Sequence, residues 1–284
     1  MEKRKFIFLG EMSMKFSATV TLQYPTVFSA FSVEDYLKGL DWIRDSGLDG
    51  AELCISHYKG LDLGIVKKQL EERKLGCSTL STGQARGMEG LSLVGVKEEI
   101  KKKTQERFMQ HIDAAAYLGS KVTMGLMRAS DRATMQDLGE LAEATKPIVE
   151  YADKKGVVIA IEPINRYETS VLNSVDETMD FIENCLGNPD NVGILWDLFH
   201  ANIEDVDYRR CIARMGKRLV HVHLADSNRM FPGYGHTDVK GILALIRDSG
   251  FEEYASFECL NLPSRHAVLN ETGPWVNSVR EEKR

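Results

Sequence analysis

Val157-Val-Ile-Ala-Ile-Glu162-Pro-Ile-Asn-Arg-Tyr-Glu168 is the stretch from which the fold can be read. Five apolar, mostly β-branched residues in a row describe a strand buried on both faces, and the run stops at a carboxylate that no hydrophobic argument explains. The pattern of an apolar run closed by a metal-competent side chain recurs in Asn191-Val-Gly-Ile-Leu-Trp-Asp197, Arg218-Leu-Val-His-Val-His223 and Glu253-Tyr-Ala-Ser-Phe-Glu258. The four closing residues are separated by 35, 26 and 35 residues. Each interval is near the ~30 residues of one strand-loop-helix-loop unit.

Working outward, the 284 residues suffice for one large core, and α/β barrels reach this size as single domains. A hydrophobic fraction of 43% and a charged fraction of 27% are ordinary for a globular chain. The net charge of −6 speaks against nucleic acid, whose phosphates demand a basic face. No stretch approaches the ~20 apolar residues of a membrane span. Five cysteines, an odd number without a Cys-x-x-Cys pair, fit reduced thiols in a cytoplasm. Lys3-Arg4-Lys5 before Phe6-Ile-Phe-Leu9 imitates a secretion signal, but four apolar residues are too few. Residues 1–14 are read as an extension before a barrel domain spanning 15–284.

In chain order, strands are expected at Phe16–Val20, Asp49–Ile55, Cys77–Thr82, Lys121–Leu126, the run from Val157, Val192–Trp196, Leu219–Leu224 and Tyr254–Phe257. Between them fall helical patterns after the capping sequence Ser32-Val-Glu-Asp35 and over Leu63–Leu75, Val96–Leu118, Thr134–Lys155, Val175–Cys185, Asp205–Met215 and Val239–Ser249. Gly83–Gly95 reads as a loop, Pro147 is expected to kink or divide its helix, and Pro263 and Pro274 suggest a truncated eighth helix. Eight alternating units without a linker give a single-domain (β/α)8 barrel, a TIM barrel of the α/β class. A doubly wound sheet is the runner-up, but no Gly-x-Gly-x-x-Gly follows the first strand.

A barrel brings the C-terminal ends of its strands to one face, where active sites sit. Glu162, Asp197, His223 and Glu258 end four consecutive strands and so share one patch at the mouth. Any one of these acids alone is more often a helix cap or a solvated loop residue. Four in register are not explained that way. Three carboxylates together repel unless a cation compensates, and a set of carboxylates with one imidazole and no sulfur suits Mn²⁺ first, with Mg²⁺ or Co²⁺ as alternatives. His221, two residues before His223, lies one layer deeper and reads as a hydrogen-bonded partner rather than a ligand. Glu168, His200 and Arg229 follow the ligands at short offsets on loops after strands; taken singly they read as surface charges and a helix-start residue. Arg128 divides evenly between a surface arginine and a grip for a substrate phosphate or carboxylate.

Glu162-Pro-Ile-Asn-Arg-Tyr-Glu168, Trp196-Asp-Leu-Phe-His200-Ala-Asn-Ile-Glu204 and His221-Val-His-Leu-Ala-Asp-Ser-Asn-Arg229 with Pro232-Gly-Tyr-Gly235 resemble the ketose 3-epimerases, within the xylose isomerase-like barrel superfamily. The likeness is strong over residues 157–260 and at the level of fold before them. It implies that Glu162, Asp197, His223 and Glu258 bind the metal, that Glu162 and Glu258 also transfer protons through a metal-stabilised enediolate, and that Glu168, His200 and Arg229 contact a small-molecule sugar. It further implies a homo-oligomer, dimer or tetramer. The chain departs from the family's type members at Gly125-Leu-Met-Arg-Ala-Ser130, which lacks the aromatic residue expected beside the sugar, so the sugar and its phosphorylation stay open. An aldose-ketose isomerase or an inosose-type dehydratase would use the same metal and carboxylates. An apurinic endonuclease would need further histidines on early strands, where only His57 and His111 occur; a metal-bound sugar sensor is disfavoured by the retention of both glutamates.

Overall fold

The structure, a computed structural model, describes residues 14–281. Apart from Met14, the extension assigned to residues 1–14 lies outside the described residues. Eight parallel strands, β1 (Lys15–Thr21), β2 (Gly50–Cys54), β3 (Gly76–Ser81), β4 (Val122–Met124), β5 (Ile159–Ile161), β6 (Val192–Asp197), β7 (Leu219–Leu224) and β8 (Tyr254–Phe257), close into a barrel with β1 beside β8. The (β/α)8 barrel expected from the strand spacing is therefore the fold. Strands whose residues are buried on both faces, such as β2 and β6, are possible because helices cover the outside of the barrel.

Local chemistry sets where the helices begin and end. Asp62 accepts hydrogen bonds from the backbone N–H groups of Gly64 and Ile65 and so starts the helix Leu63–Glu72. Ser174, Asp207 and Asp238 do the same for the helices at Val175, Tyr208 and Val239. Gly119 adopts φ +68°, the left-handed conformation that ends the long helix Glu98–Leu118.

Register then positions the site. Between β6 and β7, Leu195 lies beside His221 and Asp197 beside His223; between β7 and β8, His223 lies beside Ser256. Side chains alternate along a strand, so Glu258, two residues past Ser256, points to the same side one layer higher.

Four expectations need correction. Gly83–Glu89, inside the segment read as a loop, is a short helix closed by Gly90 in the left-handed region. Pro147 does not divide its helix, which runs unbroken over Leu138–Lys154. The helix expected over Asp205–Met215 begins at Tyr208, and a separate helix, Leu198–Glu204, precedes it directly after β6, so His200 sits in a helix rather than on a loop. The eighth helix is not truncated: Arg265–Glu281 spans 17 residues and contains Pro274. Tertiary packing explains this last result. Val268, Val276 and Val279 are buried, and Trp275 packs edge-on against Phe16, Phe231 and Phe257 at centroid distances of 6.3, 6.3 and 5.4 Å. Trp42 Nε1 donates to the Leu269 carbonyl and Arg280 pairs with Asp49 at 2.7 Å, which fastens the helix to the first βα unit.

Trp275→Ala removes the ring shared by these contacts. Because Trp275 is only partly buried, the expected loss is at the low end of the range for such truncations, about 3 kcal/mol. Equilibrium urea denaturation of the two proteins measures it.

Candidate active site

Glu162 directly follows β5, Asp197 ends β6, His223 lies near the end of β7 and Glu258 directly follows β8. All four sequence-predicted ligands converge. One ligand atom from each lies within 4.8 Å of the others, and the group is buried, Glu258 least so with 12% of its side chain exposed. His223 Nδ1 is the hub: it stands 3.4 Å from Glu162 Oε1, 3.4 Å from Glu258 Oε2 and 3.8 Å from Asp197 Oδ2.

Two of these atoms carry the test of whether a cation fits. His223 Nδ1 and Asp197 Oδ2 are buried without a hydrogen-bond partner among the described residues. Buried polar atoms are normally paired, and two aimed at one point beside two further carboxylates ask for a cation. The other Asp197 oxygen is committed: Oδ1 accepts from the Phe199 N–H at 2.7 Å and caps the helix Leu198–Glu204. One carboxylate thus starts a helix and faces the cluster. Gly125 makes room for another, since a Cβ there would stand 2.7 Å from Glu162 Oε2.

Burial raises the carboxyl of Glu162 above its ordinary range and pushes that of Asp197 up to about 6. Glu258 is shifted the other way: burial works against its anion, but His223 and Arg229 outweigh it and hold the group below the usual value. His200 is brought down to about 4 by burial, so its ring is neutral near pH 7.

The residues expected to touch substrate form a second tier. Arg229 Nη2 reaches Glu258 Oε2 at 3.0 Å and Asp197 Oδ2 at 3.7 Å, while Nη1 reaches Glu168 Oε1 at 3.2 Å. Its guanidinium lies between two rings, 4.6 Å from the Phe28 centroid and 4.7 Å from that of Phe199, an arrangement that fixes a planar cation. His200 Nε2 stands 3.7 Å from Asp197 Oδ2, and its Nδ1 is 2.7 Å from Asn165 Nδ2, which also donates to Glu168 at 3.0 Å. Because that amide nitrogen has only protons to offer, His200 Nδ1 accepts, and Nε2 faces the cluster with Arg229 Nη1 3.5 Å away. Phe28, Glu162, Glu168, His200, Arg229 and Glu258, with Ser81, Thr82, Gly83, Thr123, Gly125, Leu126 and Ile164, line a cavity of about 110 Å³.

Arg128 is placed differently from either sequence reading. It is fully buried, and its guanidinium donates to the carbonyls of Gly125, Val171 and Leu172 at 2.8–3.2 Å, so it ties together the chain after β4 and the chain after β5. Burial lowers it to about 10. A group spent on backbone carbonyls is not free to grip a phosphate.

Two participants escaped the reading of strand ends. Asn165 was in view, in Glu162-Pro-Ile-Asn165, but an amide carries no chemical signature. Glu52 lies mid-strand on β2, fully buried, with its carboxylate 3.1 Å from His223 Nε2 and 3.3 Å from His221 Nε2. The available signal was an acid in the middle of an otherwise apolar buried run, Asp49-Gly-Ala-Glu-Leu-Cys-Ile55.

Comparison with known proteins assigns the barrel to a family. The family model for the xylose isomerase-like TIM barrel matches residues 40–280. The chain belongs to that family. It is 25% identical to the L-ribulose 3-epimerase of Mesorhizobium japonicum over 82% of this chain and 78% of that one. It is 26% identical to the 3-dehydro-D-guloside 4-epimerase of Escherichia coli over 81% of this chain and 88% of that one. The fold matches that of the D-psicose 3-epimerase of Clostridium cellulolyticum solved with D-tagatose, with a TM-score of 0.79 and 18% identity over 94% and 98% of the two chains. The resemblance to ketose 3-epimerases drawn from residues 162–235 is borne out by these relatives.

Gly125→Ala tests the packing around Glu162. The added methyl displaces that carboxylate, and Mn²⁺ binding measured by calorimetry is expected to weaken about tenfold, the scale on which misplaced ligands cost affinity.

Proposed function

We propose that this protein is a metal-dependent sugar epimerase, an enzyme of the isomerase class, which inverts the carbon beside a ketone by proton removal on one face and return on the other. The observation carrying this reading is the placement of Glu162 and Glu258 at equal distance, 3.4 Å, from His223 Nδ1, with their acidities pushed in opposite directions. Such divergence marks an acid and a base in one site.

Glu162, Asp197, His223 and Glu258 would hold the divalent ion, with Mn²⁺ the best match to this donor set. When bound, the ion supplies Lewis-acid stabilisation for the charge that develops on the substrate's oxygens once a carbon-bound proton leaves. Glu258, held ionised by His223 and Arg229, is suited to take that proton. Glu162, whose carboxyl burial shifts upward, is suited to return one to the opposite face. One turnover exchanges the two protonation states, and the reverse reaction or exchange with water restores them. Arg229, clamped between Phe28 and Phe199, and His200 with its Nε2 directed inward hold the carbonyl end, with Glu168 accepting from a hydroxyl.

The far wall of the cavity is uncharged. Arg229 is the only arginine or lysine lining it among the described residues and is already paired with carboxylates, and Arg128 is buried elsewhere; together these favour a free sugar over a phosphorylated one. The metal, a homo-oligomeric dimer or tetramer and a cytoplasmic setting belong to the same reading. Five free cysteines support the last, and among the described residues no helix is long and apolar enough to cross a membrane.

A second reading keeps the chemistry and moves the ketone. The E. coli relative named for 4-epimerisation matches as much of the chain as the 3-epimerase does. A ketone at C2 directs inversion to C3; a ketone at C3 directs it to C4.

Incubation with Mn²⁺ and a panel of free, phosphorylated and 3-keto sugars in deuterium oxide discriminates by NMR. Deuterium at C3 of a free ketose is the expected result, whereas label at C4 selects the second reading. Label at C1 would mean an isomerase, and an ultraviolet-absorbing enone a dehydratase. Removal of metal by chelation should abolish turnover, with recovery on adding Mn²⁺. Glu258→Gln should retain a folded barrel while turnover falls by several orders of magnitude; a variant turning over at the parent's rate would eliminate the two-carboxylate scheme.

A further inference from the structure

We infer that Glu52 is a positioning residue that fixes which nitrogen of His223 faces the cation. The inference rests on the metal site of the proposed function but concerns a carboxylate outside the four ligands, on a strand from the opposite half of the sequence. Its two oxygens are each 3.1 Å from His223 Nε2, and one is 3.3 Å from His221 Nε2.

The direction of these bonds follows from the chemistry. An ionised carboxylate has no proton to donate, so both imidazoles must donate through Nε2. With Nε2 turned to Glu52, the nitrogen of His223 that is left to bind a cation is Nδ1. That is the atom left without a hydrogen-bond partner among the described residues and aimed at Glu162, Asp197 and Glu258. Glu52 thus selects the tautomer and sets the plane of the ring. His221, whose ring stands edge-on to His223 at 5.3 Å and 85°, supplies a second donor that keeps the carboxylate from swinging away. As a device for stability alone the arrangement is poor, because a buried charge with its partners is commonly no better than apolar packing of the same volume. Its geometric result is a ligand atom held ready.

The test uses the full-length protein and Mn²⁺ as the probe. Glu52→Gln preserves volume but replaces an acceptor-only group with one that also donates. Its metal-free form should melt with the parent, while the Mn²⁺ dissociation constant measured by calorimetry rises about 10–100-fold, the range typical of groups that orient a metal ligand. A second measurement needs no variant. In the parent protein labelled with ¹⁵N-histidine and loaded with ¹¹³Cd²⁺, the metal–nitrogen coupling should appear on His223 Nδ1, with Nε2 still protonated.

Mn²⁺ affinity in the folded variant within about twofold of the parent's, where 10–100-fold is expected, overturns the inference and leaves the metal site standing. Coupling through Nε2 does the same, and decides the matter if the variant does not fold. Failure of the parent itself to bind Mn²⁺ removes the metal reading and this inference with it.

Discussion

Three carboxylates, Glu162, Asp197 and Glu258, are held around one imidazole nitrogen in a place with little water. Left to themselves they would separate or take up protons, and the weakened acidities of Glu162 and Asp197, which burial causes first and the neighbouring Glu258 adds to, show that pull. They stay because each is attached at or just beyond the end of a strand in a closed barrel, where neither backbone nor register can yield. The rest of the molecule serves that constraint. Asp197 is anchored by capping a helix, Gly125 leaves room for Glu162, Arg229 leans on Glu258 and Glu52 holds the far side of the histidine. Rigidity is what would convert mutual repulsion into affinity for a divalent cation.

The parts of this arrangement that could be read from sequence were those where chemistry and periodicity disagree. An apolar run that ends in an acid is an anomaly at a known place, and four such anomalies at unit spacing define both the barrel and its mouth. Glu52 is equally anomalous but sits mid-strand, and nothing in a one-dimensional reading tells whether such a residue faces the barrel interior or a helix. Arg128 failed for a related reason. A long side chain reaches in any direction, and the carbonyls that capture it lie 43 and 44 residues further along the chain.

The helices show the limit of local rules. Pro147 and Pro274 lower helical propensity, yet both stand inside continuous helices. The energy that overrides them comes from burying Leu141, Ile148 and Val149 in the first case, and from the aromatic cluster around Trp275 in the second. The segment Gly83–Glu89 is the converse: two glycines and a short length conceal a helix that its neighbours stabilise, with Arg86 reaching Asp131 at 2.8 Å.

The division of labour within the cavity carries a consequence for redesign. Every ionisable group that lines it comes from the half of the barrel built by β5 to β8, whereas Ser81 ends β3 and Thr82, Gly83 and Leu126 lie just beyond β3 and β4. On the proposed function, reactivity and sugar preference would therefore be housed on separate segments. Exchanging the turns of the earlier half would then reshape the uncharged wall while leaving the half that carries the ionisable groups as it is.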